Sequence, residues 1–296
     1  MAIKIGNAPC SWGVIENVAG KRSGYEVVID EIRDTGYIGT ELGDWGFMPT
    51  EPEKLKEVLA QRGLELTGSW VNVYLSHRNR FRESVDNCLK VARLLAEVCD
   101  GKPYINLGDE VYEIPNRTKK AGRIQPADAI DPHTRKLFMS NVNMLCDEVS
   151  SETGVSVLFH HHVGTWIETP VEIDQLLNES KVNICFDSGH CMFGGGEPLT
   201  MLKKYRERVG AVHFKDCSRK VAEKSVQFEY DAFESLKQGI FPELGQGNID
   251  FPALTKHLKD TAYDGWIIVE QDVIPGMGNP KLSAQRNRNY LKNLGL

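Results

Sequence analysis

Eight short runs rich in aliphatic and β-branched residues recur along this chain, and segments with apolar residues at helical spacing lie between most of them. The runs cover residues 3–7, 38–42, 64–71, 103–107, 155–161, 182–187, 210–214 and 265–270. The helical segments cover 25–35, 55–62, 84–99, 137–151, 171–179, 198–209 and 251–261. This alternation constrains the fold strongly, because parallel strands need a long crossover and a helix is the usual one. In the first helical segment Val27, Val28, Ile29 and Ile32 fall where one face buries most of them. Thr50 with Glu53, and Thr169 with Glu172, have the spacing of helix-capping boxes, while Gly36, Gly63 and Gly154 read as stops.

Eight βα units fit a closed (β/α)8 barrel, an α/β fold that takes about 250 residues and leaves room here for insertions. An open doubly wound sheet would usually carry a glycine-rich phosphate loop after its first strand. Residues 6–12 read GNAPCSW and lack the G-x-G-x-x-G pattern. No Pro/Gly/Ser linker divides the chain, so one domain over 1–296 is expected. Two stretches exceed ordinary loops. Residues 108–132 carry Arg117, Lys119, Lys120 and Arg123, and residues 216–248 are expected to hold a short helix near 228–237. Both leave C-terminal strand ends, the face where barrel chemistry sits. They read either as pocket walls and lids or as surface decoration.

Composition removes several classes of function. Lys plus Arg is 35 and Asp plus Glu is 41, a formal net charge of −6. This disfavours a general nucleic-acid binder, whose phosphate affinity comes from cationic side chains. No apolar run approaches the ~18 residues of a membrane span. The opening residues lack a basic then apolar secretory pattern. Seven cysteines occur without a C-x-x-C, which points to reduced thiols in a cytoplasmic protein rather than to a disulfide framework or zinc knuckle.

The titratable residues fall at strand ends. The fifth run ends in His160, His161 and His162; the sixth in Asp187, with His190 three residues on; the seventh in His213, Lys215 and Asp216; the eighth in Glu270. In a barrel these four strand ends are neighbours, and alternation with period two lets one residue from each point inward. Two imidazoles and two carboxylates there suit Mn, Co, Fe or Zn. A single buried His or strand-end Asp is ordinarily a core group or a cap. Four at adjacent ends are costly to bury unless a cation offsets them. Spacing leaves the choice between His160 and His162 open, since they share a face. Lys215 has the parity of His213 and reaches the same pocket, or else is a solvated loop lysine. On the opposite rim stand Trp12, Glu41 and Asn106. The Trp12 indole reads either as a stacking floor for a sugar or cyclitol ring or as a plug of core. Glu41 is placed to accept from a substrate hydroxyl or to act as an acid/base group.

The segments NAPCSWG (7–13), GTELG (39–43), HHHVGT (160–165), FDSGH (186–190), VHFKD (212–216), GIFPELGQGNIDF (239–251) and GWIIVEQD (265–272) together resemble the xylose-isomerase-like barrel superfamily. The resemblance covers essentially the whole chain. Within that superfamily the triple His followed by G-T is similar to the branch that dehydrates inososes. The resemblance implies a metal held by His160, Asp187, His213 and Glu270, with His160 standing where the commoner E-N-H-x-G-T pattern has its Glu, and His162 facing substrate. The family's epimerases use two ligand glutamates as an acid/base pair; an imidazole at one of those positions favours a one-sided reaction. The implied activity is a hydro-lyase of carbohydrate catabolism, dehydrating a 2-keto-cyclitol through a metal-stabilised enolate. Mn2+ or Co2+ is the leading cofactor, and Zn2+ or Fe2+ the alternative. Glu270 or Lys215 is expected as base, and His190 or Glu41 as acid. Trp12, His162 and Asn106 would bind substrate. Gln246 stands where the dehydratases' pattern has an Asp, which leaves room for a related keto-sugar.

Three other functions compete. A keto-sugar isomerase or epimerase would use the same scaffold. An endonuclease-IV-type hydrolase would need more His and Glu ligands and a basic groove. A non-catalytic sugar binder leaves the four strand-end residues without a purpose. The expected partner is a small molecule, with neither nucleic acid nor membrane, and the outer helices of such barrels often support homo-oligomers.

Overall fold

The protein is described by a computed structural model over residues 3–15, 20 and 22–296. Nine parallel strands occur among the described residues: β1 (Lys4–Asn7), β2 (Gly39–Thr40), β3 (Glu65–Leu66), β4 (Gly68–Val73), β5 (Tyr104–Asp109), β6 (Ser156–His160), β7 (Asn183–Asp187), β8 (Val209–Phe214) and β9 (Trp266–Val269). Their spatial order is β3-β2-β1-β9-β8-β7-β6-β5-β4. The terminal members β3 and β4 flank Thr67, so the ring closes through the chain itself. Eight staves are therefore expected and found, but the run 64–71 is two strands rather than one. It changes partner at Thr67: β3 pairs with β2 and β4 with β5. The Thr67 N–H donates to Thr40 O at 3.0 Å, and Thr67 O accepts from the Tyr104 N–H at 3.4 Å.

Helices α1 (Tyr25–Asp34), α2 (Pro52–Ala60) and α3 (Phe81–Val98) follow the first staves. The insertion after β5 holds α4 (Pro115–Lys119) and leads to α5 (Pro132–Thr153), and α6 (Pro170–Glu179) follows β6. After β7 come α7 (Ser188–Phe193) and α8 (Pro198–Tyr205); after β8 come α9 (Arg219–Gln227), α10 (Ala232–Lys237) and α11 (Phe251–Asp260); α12 (Pro280–Asn293) ends the chain. The short helix expected near 228–237 is α10; a further helix, α9, precedes it, and Glu229 takes a left-handed φ of 52° in the turn between the two. Helix α12 has only three buried residues, Ala284, Asn287 and Leu291, too sparse a stripe to read as amphipathic. In α1 the buried set is Val28, Ile29 and Ile32, whereas Val27 is about half exposed. Thr169 makes its capping box with Glu172. Thr50 does not; the cap position of α2 is Glu51, with no side-chain bond. Among the described residues no helix is long and apolar enough to cross a membrane.

The barrel interior follows directly from strand parity. Tyr104, Leu158, Cys185 and Ala211, one each from β5 to β8, form a buried cluster of their own. Two residues further along the same strands come Asn106, His160, Asp187 and His213, on the same inward face one layer nearer the C-terminal mouth. The outward positions between them on β6, β7 and β8, Phe159, Phe186 and Val212, are fully buried and belong to the main hydrophobic core. An apolar plug thus seals the barrel below a layer of polar side chains.

Candidate metal centre and pocket

His160, Asp187, His213 and Glu270 each offer a ligand atom, and those atoms all lie within 4.8 Å of one another. The register explains the convergence: His160 pairs beside Cys185, Asp187 beside His213, and His213 beside Ile268, two residues before Glu270. His160 Nε2 is 3.6 Å from Asp187 Oδ2. His213 Nδ1 is 3.9 Å from Asp187 Oδ2 and 3.2 Å from Glu270 Oε1. Four donors at about 2.0–2.3 Å from one tetrahedral centre stand about 3.2–3.8 Å apart, close to this spacing. Asp187 Oδ2 and His213 Nδ1 are buried and without a hydrogen-bond partner, although they face each other. Orphaned buried polar atoms are uncommon, and a shared cation is a direct way to satisfy such a pair. The donor set of two nitrogens and two carboxylates therefore fits a divalent transition-metal ion.

Lys215 stands beside this group. Its Nζ is 2.9 Å from Glu270 Oε2, 3.0 Å from each oxygen of Asp272, 3.4 Å from Asp187 Oδ2 and 2.9 Å from His190 Nε2. Burial opposes its charge, but Asp187, Asp272 and Glu270 outweigh burial and hold it an ammonium, well above the ordinary lysine value. Burial likewise pushes Asp187 and Glu270 up. Lys215 and His160 bring Asp187 back below its ordinary value, and His213 and Lys215 do the same for Glu270. Burial, with the charge of His160 and Lys215, drives His162 down to about 3, so its ring is neutral. His162 Nδ1 lies 2.7 Å from Val163 O and must donate to it, which leaves Nε2 as a lone pair.

A pocket opens above the four residues. Its walls include Cys10, Val14, Ile15, Glu41, Trp70, Tyr112, His160, His162, Lys215, Glu270 and Asp272. Trp12 is not among them. Its indole is packed into the core at 5% exposure and donates from Nε1 to Glu31 at 2.7 Å, so it is a plug and not a stacking floor. The aromatic wall is Trp70, whose ring stands edge-on to His160 and His162 at centroid distances of 5.3 and 6.0 Å. Gly108 makes room for it: a Cβ there would lie 1.6 Å from the Trp70 ring. Asn106 also lies behind the pocket wall. It is fully buried, and its Nδ2 donates to Glu41 Oε1 at 3.2 Å, so it is not a substrate-binding surface.

Glu41 lines the pocket and accepts from Tyr104, Asn106 and His213. His190 lies under Lys215 and against His162, with ring centroids 3.8 Å apart. His161 points outward, and its Nε2 accepts from the Asp187 N–H at 3.3 Å. Asp216 leaves the pocket and gathers the N–H groups of Cys217, Gly245, Gly247 and Ile249, shaping the following loop. Gln246 in that loop is exposed. Both long insertions reach the site. Tyr112 from the β5 insertion packs on His162 and on Phe233 of α10, and Phe241 packs edge-on against His190. Asp272, Trp70 and Tyr112 were missed by sequence reasoning. Asp272 was readable, since it shares parity with Glu270; the two aromatics carry no local signal.

Comparison with known proteins agrees with this architecture. The sequence profile of the xylose isomerase-like TIM barrel family matches residues 29–294. An inosose dehydratase of Lacticaseibacillus casei is 30% identical over 98% of this chain and 97% of its own length. A rhizopine catabolism protein, MocC, of Rhizobium meliloti is 31% identical over 98% of this chain and 88% of its own. Among solved structures, the probable 3-DHS dehydratase AsbF of Bacillus anthracis superposes with a TM-score of 0.72 at 18% identity, covering 98% of this chain and 99% of that one. With the profile spanning most of the chain and the barrel closed as its motifs require, this chain belongs to the xylose isomerase-like TIM barrel family.

Proposed function

We propose that this protein is a divalent-metal-dependent hydro-lyase that removes water from an inosose or a closely related keto-cyclitol. The observation that carries the reading is the near-full-length similarity to inosose dehydratases in a chain whose inward strand ends bring His160, Asp187, His213 and Glu270 within 4.8 Å. These four residues would hold the ion, with Mn2+ and Co2+ the leading candidates. When bound, the ion supplies Lewis acidity at the substrate carbonyl, which acidifies the neighbouring C–H. The chain supplies the rest. Trp70 and Tyr112 offer apolar walls against the C–H faces of a ring. His162 presents a lone pair on Nε2, its tautomer fixed by Val163, and is placed to take the α-proton. Lys215, held as an ammonium by Asp187, Glu270 and Asp272, is placed to give a proton to the departing β-hydroxyl. Loss of that proton and that hydroxyl balances as one water and one unsaturated ketone.

The test is incubation of the protein, stripped of metal and then reloaded with Mn2+ or Co2+, with a panel of inososes and ketohexoses. The expected result is metal-dependent appearance of enone absorbance with an inosose. Solvent deuterium entering a ketohexose without an enone would replace this reading with an epimerase.

A further inference from the structure

Glu41 is placed unlike a catalytic acid. A single oxygen, Oε1, is met by three neighbours: Tyr104 Oη at 2.9 Å, His213 Nε2 at 3.1 Å and Asn106 Nδ2 at 3.2 Å. Burial and the neighbouring carboxylate push the Tyr104 phenol well above its ordinary value, so it stays protonated and donates. A carboxylate acceptor opposite His213 Nε2 selects the tautomer that carries its proton there. With a cation at the other ring nitrogen, Nδ1, the single ring proton is confined to Nε2. Nδ1 faces Asp187 Oδ2 and Glu270 Oε1, two acceptors that cannot donate to it, and it has no hydrogen-bond partner. A cation among the three atoms would take the Nδ1 lone pair and both carboxylate oxygens, with the ring proton kept on Nε2 by Glu41. Tyr104 and Asn106 in turn hold Glu41 from β5, across the barrel interior from β8.

We infer that Glu41 is a positioning residue that acts through His213, fixing the ring as an Nδ1 ligand for the divalent cation. This rests on the metal reading above and replaces the acid/base role that sequence position suggested for Glu41. Outer partners of this kind set ligand orientation and basicity, and their loss typically weakens metal binding by about 10–100-fold.

The experiment titrates the full-length, metal-stripped protein with Mn2+ and follows free Mn2+ by electron paramagnetic resonance, for wild type, Glu41→Gln, Tyr104→Phe and Asp187→Ala. Glu41→Gln is expected to weaken binding by about 10–100-fold, and its lost activity should return as Mn2+ is raised. Tyr104→Phe leaves Glu41 in place and should weaken binding in the same direction by a smaller factor; it carries the test if Glu41→Gln does not fold. Binding by Glu41→Gln within twofold of wild type, or an activity loss that excess Mn2+ does not repair, overturns the inference while leaving the metal site intact. Failure of wild type to bind Mn2+ more tightly than Asp187→Ala overturns the metal reading as well.

Discussion

Replacing Glu172 by Gln breaks a buried ion pair that ties two loops of the pocket together. Arg117, in the insertion after β5, is fully buried, and its Nη1 and Nη2 meet the Glu172 oxygens at 2.7 and 2.8 Å. The same guanidinium donates from Nε to Thr165 O at 2.6 Å, and Thr165 Oγ1 donates to His162 O at 2.8 Å. Glutamine keeps the shape and leaves one buried cation without its counter-charge, a loss typically worth about 3–5 kcal/mol. Glu168 offsets part of it. Burial lifts that carboxyl to about 7, Arg117 pulls it down and Glu172 pushes it up, so neutralising Glu172 lets Glu168 ionise more completely. The net cost is then about 2–4 kcal/mol, or about 3–6 °C in melting temperature for a domain of this size. Thermal unfolding followed by circular dichroism at pH 7 measures it. The double variant Arg117→Met with Glu172→Leu should lose less than Glu172→Gln, because it removes the orphaned charge. A Glu172→Gln protein melting within 2 °C of wild type, or a double variant less stable than the single, would refute the reasoning.

Three further outcomes follow from the same geometry. Glu168 has a folded value of about 7 against an ordinary 4.5, so the wild type keeps this contribution below about 4.5 and loses it as pH rises to about 7, about 3 kcal/mol in all; Glu168→Gln should flatten stability across that window, and an unchanged slope would count against it. Gly108→Ala drives a methyl into the Trp70 ring, 1.6 Å away, and should cost about 1–3 kcal/mol and raise KM, whereas a neutral result would mean that the ring is free to move. Lys215→Met should cut turnover by about 10^2–10^4-fold in a protein that still folds; turnover within threefold of wild type would remove Lys215 from the chemistry.

The barrel and its reactive layer were legible because both depend on period. Strand runs alternating with helical spacing dictate parallel staves, and parity two residues along each strand carries Leu158 to His160, Cys185 to Asp187 and Ala211 to His213 on one inward face. Parity also separates His161 from its neighbours. What escaped depends on contacts between distant segments. Trp12 and Trp70 look alike in sequence; only the Glu31 partner of one and the Gly108 gap facing the other assign them to core and pocket. Asn106 stands at the right height in its strand, but Glu41 lies between it and the pocket. Tyr112 takes a left-handed φ of 62° in an insertion with no regular pattern. The division of the third stave reflects a change of partner at Thr67, which no local propensity encodes.

In the proposed metal centre, one divalent cation is shared by four strand-end side chains. A crystal of the protein grown with Mn2+ and measured at the manganese absorption edge tests it most directly. One strong anomalous peak is expected at about 2.0–2.3 Å from His160 Nε2, Asp187 Oδ2, His213 Nδ1 and a Glu270 oxygen. A map with no peak among those atoms at saturating Mn2+, or with its peak elsewhere in the barrel mouth, would contradict it.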